Sequence, residues 1–424
     1  MKLSAAFKSA AAAIMLLCMT NGFPYTAAGA NLPASAPLDD FEITVDGARR
    51  TDEEYIRNLL SDCFKDDGIH TWEQIDPQFV EQCLLNSKLF ARASAAIRKP
   101  VIEIALTERW TLLPIPYFYT SEDDTTAGLF LMESNLFGQG KKGGIGGSIS
   151  SNGNSYFLYY YDPAVRFTDW TFSFRIGSKA MEPVLTHDDS DYYSYEKEAF
   201  SYGANIGRKV FLPGLWVALG ASAAQTDYGQ VDSYPVPEDY DFYGFKARVL
   251  YKDTDFKFYF NEGLHINLEY DRQFYRSDSQ TKTQTWDLTI EWQQKLIGNN
   301  ALQLQLQLQE ISDATIGDAL LVGRNKGFRG IDAQGLWINR AQSLSIDYQI
   351  PILTYGYGTW TVAPFIDLTL FDPAVELPAD SFTAWGLGGY LYLQNIALPG
   401  VGLVTGYNNE FGGFFVSFSL GMQF

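Results

Sequence analysis

The sequence predicts a mainly β protein, an antiparallel transmembrane β-barrel of sixteen strands that follows one small α+β domain. Three observations predict this fold class. Residues 414–424 alternate apolar with small or polar side chains, as a strand between lipid and a wet lumen does. The same alternation recurs along the chain after Trp110, with turn residues between the segments. Beyond residues 1–30, no stretch is apolar for long enough to cross a membrane as a helix.

The N-terminal residues 1–30 are predicted to be a signal peptide. Lys2 and Lys8 give it a charged start, and residues 10–19 form an apolar stretch too short for a membrane-spanning helix. Ala28-Gly29-Ala30 supplies small residues for cleavage before Asn31. An exported chain without a later apolar helix is periplasmic, secreted or a membrane barrel.

The composition excludes one class of partner. The chain carries 31 Lys and Arg against 50 Asp and Glu, a net charge of −19, whereas nucleic-acid binding needs clustered positive charge. The 26 Tyr, 30 Phe and 37 Gly residues suit a β protein with many turns and with aromatic belts at a membrane surface.

Residues 31–110 are predicted to form one domain with the order strand, helix, helix, strand, strand. Phe41, Ile43 and Val45 alternate as the first strand. Thr51 with Glu54 fits a capping box, which predicts that the first helix starts there. The apolar face of this helix consists of Ile56, Leu59, Leu60, Cys63 and Phe64.

The second helix of this domain is predicted to begin at Asp76-Pro77, because proline suits the first helical position. Two strands follow, at about 91–98 and 101–108. Such a sheet leaves a strand edge that can accept an extended peptide, and a mere spacer is the other interpretation. The apolar stripe of the second helix consists of Phe79, Val80, Cys83 and Leu84.

The two cysteines of the predicted domain, Cys63 and Cys83, lie on its two helices. An oxidising periplasm would favour a disulfide between them, and the proposed local fold brings the two helices close. The other possibility is a pair of buried free thiols.

The predicted barrel occupies residues 111–424. Its clearest internal strand alternates four leucines, Leu302, Leu304, Leu306 and Leu308, with Gln303, Gln305, Gln307 and Gln309. A transmembrane strand takes about 9–11 residues, so sixteen strands and their loops fit this length. The remaining predicted strands are 128–134, 142–151, 153–161, 168–178, 193–207, 214–227, 241–252, 263–275, 282–296, 341–350, 357–370, 384–396, 399–407 and 413–424, with a weaker short run at 255–260.

The chain resembles the BamA/TamA superfamily of outer-membrane assembly and secretion barrels, which includes the bacterial surface antigen family. The small domain resembles one polypeptide-transport-associated (POTRA) domain, and residues 104–110 are similar to its last strand and exit to the barrel. Residues 135–140 resemble the end of the family's first barrel strand. The most specific likeness is Gly327-Phe328-Arg329-Gly330-Ile331, which resembles the arginine–glycine–aromatic signature of the sixth extracellular loop. Here Ile331 replaces the usual aromatic residue and Phe328 precedes the arginine.

This resemblance implies that the loop folds back into the barrel, with eleven strands before it and five after it. It also implies carboxylate partners for Arg329, namely Asp367 in Phe365-Ile366-Asp367 and Asp347 on the preceding strand. A guanidinium can pair with a carboxylate through two hydrogen bonds, which would pin the loop to the barrel wall. The alternative is an exposed arginine on a surface loop.

The sequence indicates no catalytic residues, no metal site and no cofactor. A glycine-rich segment at 138–143 formally fits a dinucleotide-binding fingerprint, but it lies between two strands and is interpreted as a hairpin. His70, His187 and His265 lack metal-ligand spacing, and no nucleophile elbow is present. An outer-membrane enzyme would need acid–base residues clustered at the lumen mouth.

The resulting hypothesis is an outer-membrane barrel with a periplasmic domain, acting in protein insertion or translocation. Its partners would be outer-membrane lipid, unfolded or extended client polypeptides and periplasmic accessory proteins, with no nucleic acid. A seam between the first strand, about 128–134, and the closing strand with Phe418, Leu420, Gly421 and Phe424 would receive the client. The alternative from another class is an orphan channel or anchor without insertase activity.

Overall fold

The computed structural model describes residues 41–120, 125–150, 153–187, 190–231, 236–276, 282–331, 335–377, 379–397, 400–411 and 413–420. The predicted signal peptide, residues 1–30, lies outside the described residues, as do Gly421 and Phe424 of the closing strand. Among the described residues, no helix combines the length and apolar character that crossing a membrane requires.

A small α+β domain comes first in the described chain, and it has the predicted order of elements. A three-stranded sheet in the order β1-β3-β2 carries both helices, with β1 parallel to β3 and β2 antiparallel to it. Its core is apolar and includes Ile56, Leu60, Val80, Leu84 and Ile102. The elements are β1 Glu42–Asp46, α1 Glu53–Asp66, α2 Pro77–Asn86, β2 Phe90–Arg98 and β3 Val101–Glu108, with a 3₁₀ turn at Trp72–Gln74.

The two helices of this domain start differently. Asp76 caps α2, because its side chain accepts a hydrogen bond from the backbone N–H of Gln78. The capping box predicted at Thr51 and Glu54 is wrong: α1 starts after Asp52 without a side-chain cap. The backbone N–H of Thr51 instead donates to the carboxylate of Glu108, 2.8 Å away at the end of β3.

A disulfide joins the two helices. Cys63 on α1 and Cys83 on α2 are bonded, with 6.4 Å between their Cα atoms. The bond closes a loop between positions separated by 20 residues in sequence. Cys83 belongs to the buried core, and Cys63 packs at its edge.

The predicted barrel is confirmed as a closed sheet of sixteen long strands in chain order, each antiparallel to its sequence neighbour in the sheet. Eleven strands precede the long loop and five follow it, and β22 lies beside β4 to close the barrel. The described elements of this region are β4 Leu112–Thr120, β5 Thr125–Leu136, β6 Lys141–Ser150, β7 Gly153–Asp162, β8 Trp170–Met181, β9 Val184–His187, β10 Ser190–Ser194, β11 Glu196–Lys209, β12 Leu215–Gly229, β13 Tyr240–Phe256, β14 Asn261–Tyr275, β15 Lys282–Lys295, β16 Ala301–Ser312, β17 Leu320–Val322, β18 Leu336–Tyr355, β19 Gly358–Pro373, β20 Ser381–Leu393, β21 Gly400–Asn408 and β22 Gly413–Leu420.

Two strand predictions were wrong, and together they left the strand total unchanged. The run 255–260 is no separate strand, since β13 continues to Phe256 and a turn follows. The missing strand is β4, which precedes the predicted first strand at 128–134. Those residues belong to β5, the second strand, so the seam lies between β4 and β22.

The barrel strands expose an apolar face outward and a more polar face inward. On β22, Phe414, Val416 and Phe418 are exposed, Phe418 by 67%. The glutamines of β16 share a face with Asp347 and Ser345 of β18, as the pairing register requires. An outward apolar face of this extent on a closed barrel is typical of contact with lipid.

Candidate functional site inside the barrel

The loop between β16 and β18 turns into the barrel at the Gly327–Gly330 tip. Gly327 has φ +83° and Gly330 has φ +80°, a backbone conformation that side chains disfavour. A Cβ at Gly330 would lie 2.7 Å from the ring of Phe415 and 2.8 Å from the Cβ of Asn408. The two glycines therefore allow the turn, and Gly330 allows a close approach to the wall.

Arg329, at the tip of the loop, is 2% exposed and faces two buried carboxylates. Its Nη2 donates to both oxygens of Asp347, at 2.9 and 3.0 Å. Its Nη1 lies 3.4 Å from Oδ1 of Asp367. The guanidinium carbon lies 4.1 Å from the centroid of the Phe365 ring, which adds a cation–π contact.

Both carboxylates reach the loop because of strand register. β18 and β19 pair with Asp347 opposite Phe365 and Ser345 opposite Asp367, which puts these four side chains on one inward face. Ser345 Oγ donates to Asp367 at 2.7 Å. Asp367 is fully buried, so its charge depends on these few polar neighbours.

Lys326 completes the charge network, and sequence reasoning missed it. Its Nζ lies 3.7 Å from Asp347 and donates to Gln303 of β16 at 2.9 Å. Two cations from the loop thus face two carboxylates from the wall, which balances the buried charge. A second cation three residues before Arg329 was the available signal.

Phe328 and Ile331 anchor the tip through apolar packing. Both are buried in a cluster with Phe371, Phe382 and Phe411 of the barrel wall and its adjoining turn. The ring centroids of Phe328 and Phe382 are 6.3 Å apart. The loop therefore packs an aromatic residue against the wall, and that residue is Phe328, before Arg329, rather than a residue after Gly330.

The tip also contacts the last two strands. Asn408 of β21 donates from Nδ2 to the backbone oxygen of Arg329 at 3.0 Å. Phe415 of β22 faces inward beside Gly330. Phe418, on the opposite face of β22, points outward, and Leu420 is placed at the end of the described strand. Arg329 and the closing strand thus belong to one connected site.

A second anchor holds the same loop to the opposite wall. Asp318 Oδ1 accepts hydrogen bonds from the hydroxyls of Tyr240 and Tyr275, at 2.8 and 3.1 Å. The backbone oxygen of Gly317 accepts from Lys197 at 2.9 Å and from Tyr228 at 3.0 Å. No sequence pattern indicated this contact, because the four partners come from four strands, β11 to β14.

The small domain is bonded to the barrel near the end of β5 and the start of β6. Arg50 forms an ion pair with Glu133 at 3.0 Å. Asn135 donates to the hydroxyl of Thr51 at 2.9 Å, and the backbone N–H of Asp52 donates to Gly138 at 2.9 Å. Residues 135–140, expected at the end of a first barrel strand, thus form the β5–β6 turn against which the domain docks.

Further domain contacts lie around the same mouth of the barrel. Asn86 of α2 accepts from the backbone N–H of Phe256 at 2.8 Å and donates to Asp255 at 3.0 Å. Lys65 of α1 lies 3.2 Å from Asp169, just before β8. Arg109 donates to the backbone oxygen of Leu393 at 3.1 Å, at the end of β20. The domain therefore contacts turns spread around the mouth.

Lys88 sits at this junction with an unusual environment. Its ammonium lies 5.1 Å from the centroid of the Phe256 ring. Burial, together with the positive charges of Lys252, Lys142 and Arg109, lowers the pKa of Lys88 to about 7. The junction therefore favours the neutral amine.

The seam strands are short compared with the strands opposite them. β4 has nine residues and the described part of β22 has eight, whereas β11 to β15 have 14 to 17. Shorter strands can form fewer interstrand hydrogen bonds. Among the described residues, no group of three His, Cys, Asp or Glu side chains could hold a metal ion.

Comparison with known proteins shows which solved structures share this architecture. The sequence matches no protein-family model and no curated protein sequence. The structure of BamA from Haemophilus ducreyi lacking POTRA domains 1–3 is 11% identical, covering 89% of this chain and 82% of that one, with a TM-score of 0.52. CdiB from Acinetobacter baumannii is 13% identical, covering 90% of this chain and 73% of that one, with a TM-score of 0.50. The chain therefore shares its barrel fold with these BamA and CdiB structures.

Proposed function

We propose that this protein is an outer-membrane barrel that inserts or translocates proteins at the outer membrane, with its small domain in the periplasm. The fold shared with BamA and CdiB supports the proposal, as does the apolar outward face of the barrel. Client chains would be unfolded or extended polypeptides. The proposed work needs no covalent chemistry, because backbone hydrogen bonding to the client supplies the interaction.

The observation that carries this proposal is the Arg329 network. Four charged groups must lose their water to hold the loop inside the barrel, and this desolvation costs free energy. A passive wide pore has no need of a loop fixed in this way. The same loop packs Phe328 and Ile331 into one apolar cluster and Ala319 into a second, at that end of the barrel. With this end occupied, the seam between β4 and β22 is the route for a client.

The small domain offers a place to receive a client strand. β2 lies at the edge of its sheet, so one side of β2 faces away from β3. The backbone N–H of Ala95 on β2 donates to the carboxylate of Glu81 on α2, 3.1 Å away. An extended client that adds to this edge would replace Glu81 as the hydrogen-bond partner.

Site-specific photo-crosslinking in cells tests the proposal. A photoreactive residue at Phe418, outward on β22, should crosslink to newly exported polypeptides. The matched control is Leu219, which is also outward but lies on β12, away from the seam. Equal client crosslinking from both positions, or none from Phe418 together with unchanged outer-membrane protein levels after depletion, would overturn the proposal.

A second candidate function, a channel for small anions, is favoured by one observation. Lys142, Arg175, Lys179 and Lys252 belong to the inward faces of β6, β8 and β13 and are exposed there. Within the part of the chain that the structure describes, none of the four has an ion-pair partner. Anion-selective single-channel conductance without client crosslinks, with selectivity reduced by Lys179→Glu, would support this function over the first.

A further inference from the structure

The pairing register of β4 with β5 determines which residues of β4 direct their backbone groups toward β22. β4 pairs with β5 so that Leu112 lies opposite Glu133, and the N–H of Ser134 donates to the oxygen of Thr111 at 3.3 Å. In an antiparallel pair, alternate residues direct both backbone groups to the same neighbour. The odd-numbered residues of β4 therefore bond β5, and the even-numbered ones face β22.

Trp110 supports this assignment independently. Its N–H donates to the oxygen of Asn395 at 2.7 Å, and the N–H of Ala397 donates back to its oxygen at 2.8 Å. Both partners belong to the turn between β20 and β21, on the side of the barrel where β22 lies. An even-numbered residue just before β4 thus already points its backbone groups away from β5.

Two of the even-numbered residues of β4 are prolines. Pro114 lies opposite Leu131 and Pro116 lies opposite Leu129 of β5. Proline has no N–H, so neither residue can donate a hydrogen bond toward β22. Of the five positions of β4 that face the seam, only Leu112, Phe118 and Thr120 carry a donor.

We infer that Pro114 and Pro116 are positioning residues that keep the seam between β4 and β22 short of hydrogen bonds, so that the edge of β4 stays open to an extended client strand. The inference rests on the proposed function for its client. In lipid, a carbonyl group without a donor is costly, so closing this seam is less favourable than pairing two complete edges. A client strand meets the same missing donors, which holds it weakly and favours its release.

Hydrogen–deuterium exchange of the purified full chain tests the inference. The double variant Pro114→Ala with Pro116→Ala restores two donors. The readout is the peptide 413–420, whose sequence is the same in every variant. Two restored backbone hydrogen bonds should slow exchange of the β22 amides that face β4 by roughly thirtyfold, and each single variant by about fivefold.

The matched control is Pro364→Ala. Pro364 lies within β19, between β18 and β20, so its replacement adds a donor far from the seam. The control should leave exchange of 413–420 unchanged. If the double variant folds poorly, the two single variants carry the test. Unchanged exchange in the variants at 114 and 116, or equal slowing in the Pro364 control, overturns the inference.

A second measurement separates this inference from the proposed function. Client crosslinking from Phe418 should fall in the double variant, because a closed seam excludes the client. Slowed exchange with unchanged crosslinking would sustain the role of the prolines and overturn the seam as the client route. Unchanged exchange overturns the role of the prolines, whatever the crosslinking shows.

Discussion

Replacing Arg329 with alanine should be the most damaging single change to the loop. The substitution leaves Asp347 and Asp367 buried, at 3% and 0% exposure. Lys326 remains 3.7 Å from Asp347, but Asp367 keeps only neutral partners among the described residues, the hydroxyl of Ser345 and the backbone N–H at position 329. Removing one side of a buried ion pair costs about 3–5 kcal/mol, so we expect a loss of about 4 kcal/mol in the free energy of unfolding.

The chain supplies a matched control in Arg340. Arg340 pairs with Glu310 at 2.8 Å, nearly the same distance as Arg329 to Asp347, but the side chains are 55% and 46% exposed. An exposed ion pair contributes about 0–1 kcal/mol, so Arg340→Ala should change stability little. Both variants are unfolded in denaturant after refolding into detergent, and the free energies are extrapolated to water.

A conservative variant separates charge from geometry. Arg329→Lys keeps the positive charge but cannot face two carboxylates with one planar group. We expect it to lie between wild type and Arg329→Ala in stability, and to expose the loop to protease more than wild type. Equal destabilisation by Arg329→Ala and Arg340→Ala would refute the idea that burial of the pair fixes the loop.

Three further predictions concern the second anchor, the junction and the disulfide. Asp318→Asn should lower stability by about 1–2 kcal/mol in the same assay, because the two tyrosine hydroxyls then donate to a neutral acceptor. The folded pKa of Lys88, about 7, lies below its usual 10.5, so the unfolded chain binds more protons between these values. Stability should therefore rise as pH increases through that window, and Lys88→Met should reduce this rise in urea midpoints measured at several pH values. Replacing Cys63 and Cys83 with serine should destabilise the small domain by about 3 kcal/mol, seen as earlier proteolysis of the domain than of the barrel.

The sequence predicted most barrel strands because one inward and one outward face impose a strict alternation. It missed β4 for a physical reason. Leu112-Leu113-Pro114-Ile115-Pro116 has no alternation, and proline argues against a strand with neighbours on both sides. The strand is tolerated because both prolines direct their nitrogens to the seam rather than to β5.

The candidate site was only partly predictable. Arg329, Asp347 and Asp367 carry a recognisable pattern, and the structure brings the three together. Lys326 was missed although a second cation three residues before Arg329 was a local signal for it. Asp318 was missed because its partners lie on strands distant in sequence and no local pattern marks it. A capping box failed at Thr51, because the Glu108 carboxylate, 57 positions away, takes the same backbone N–H.

The loop and its two anchors connect two separate parts of the barrel wall. Asp318 fixes one end to β13 and β14, and Arg329 fixes the other to β18 and β19, so these walls cannot separate without breaking an anchor. Any widening of the seam must then be absorbed by the arc from β4 to β8. The small domain is bonded to that arc through Arg50 and Glu133, so force applied to the domain is transmitted to the strand next to β4.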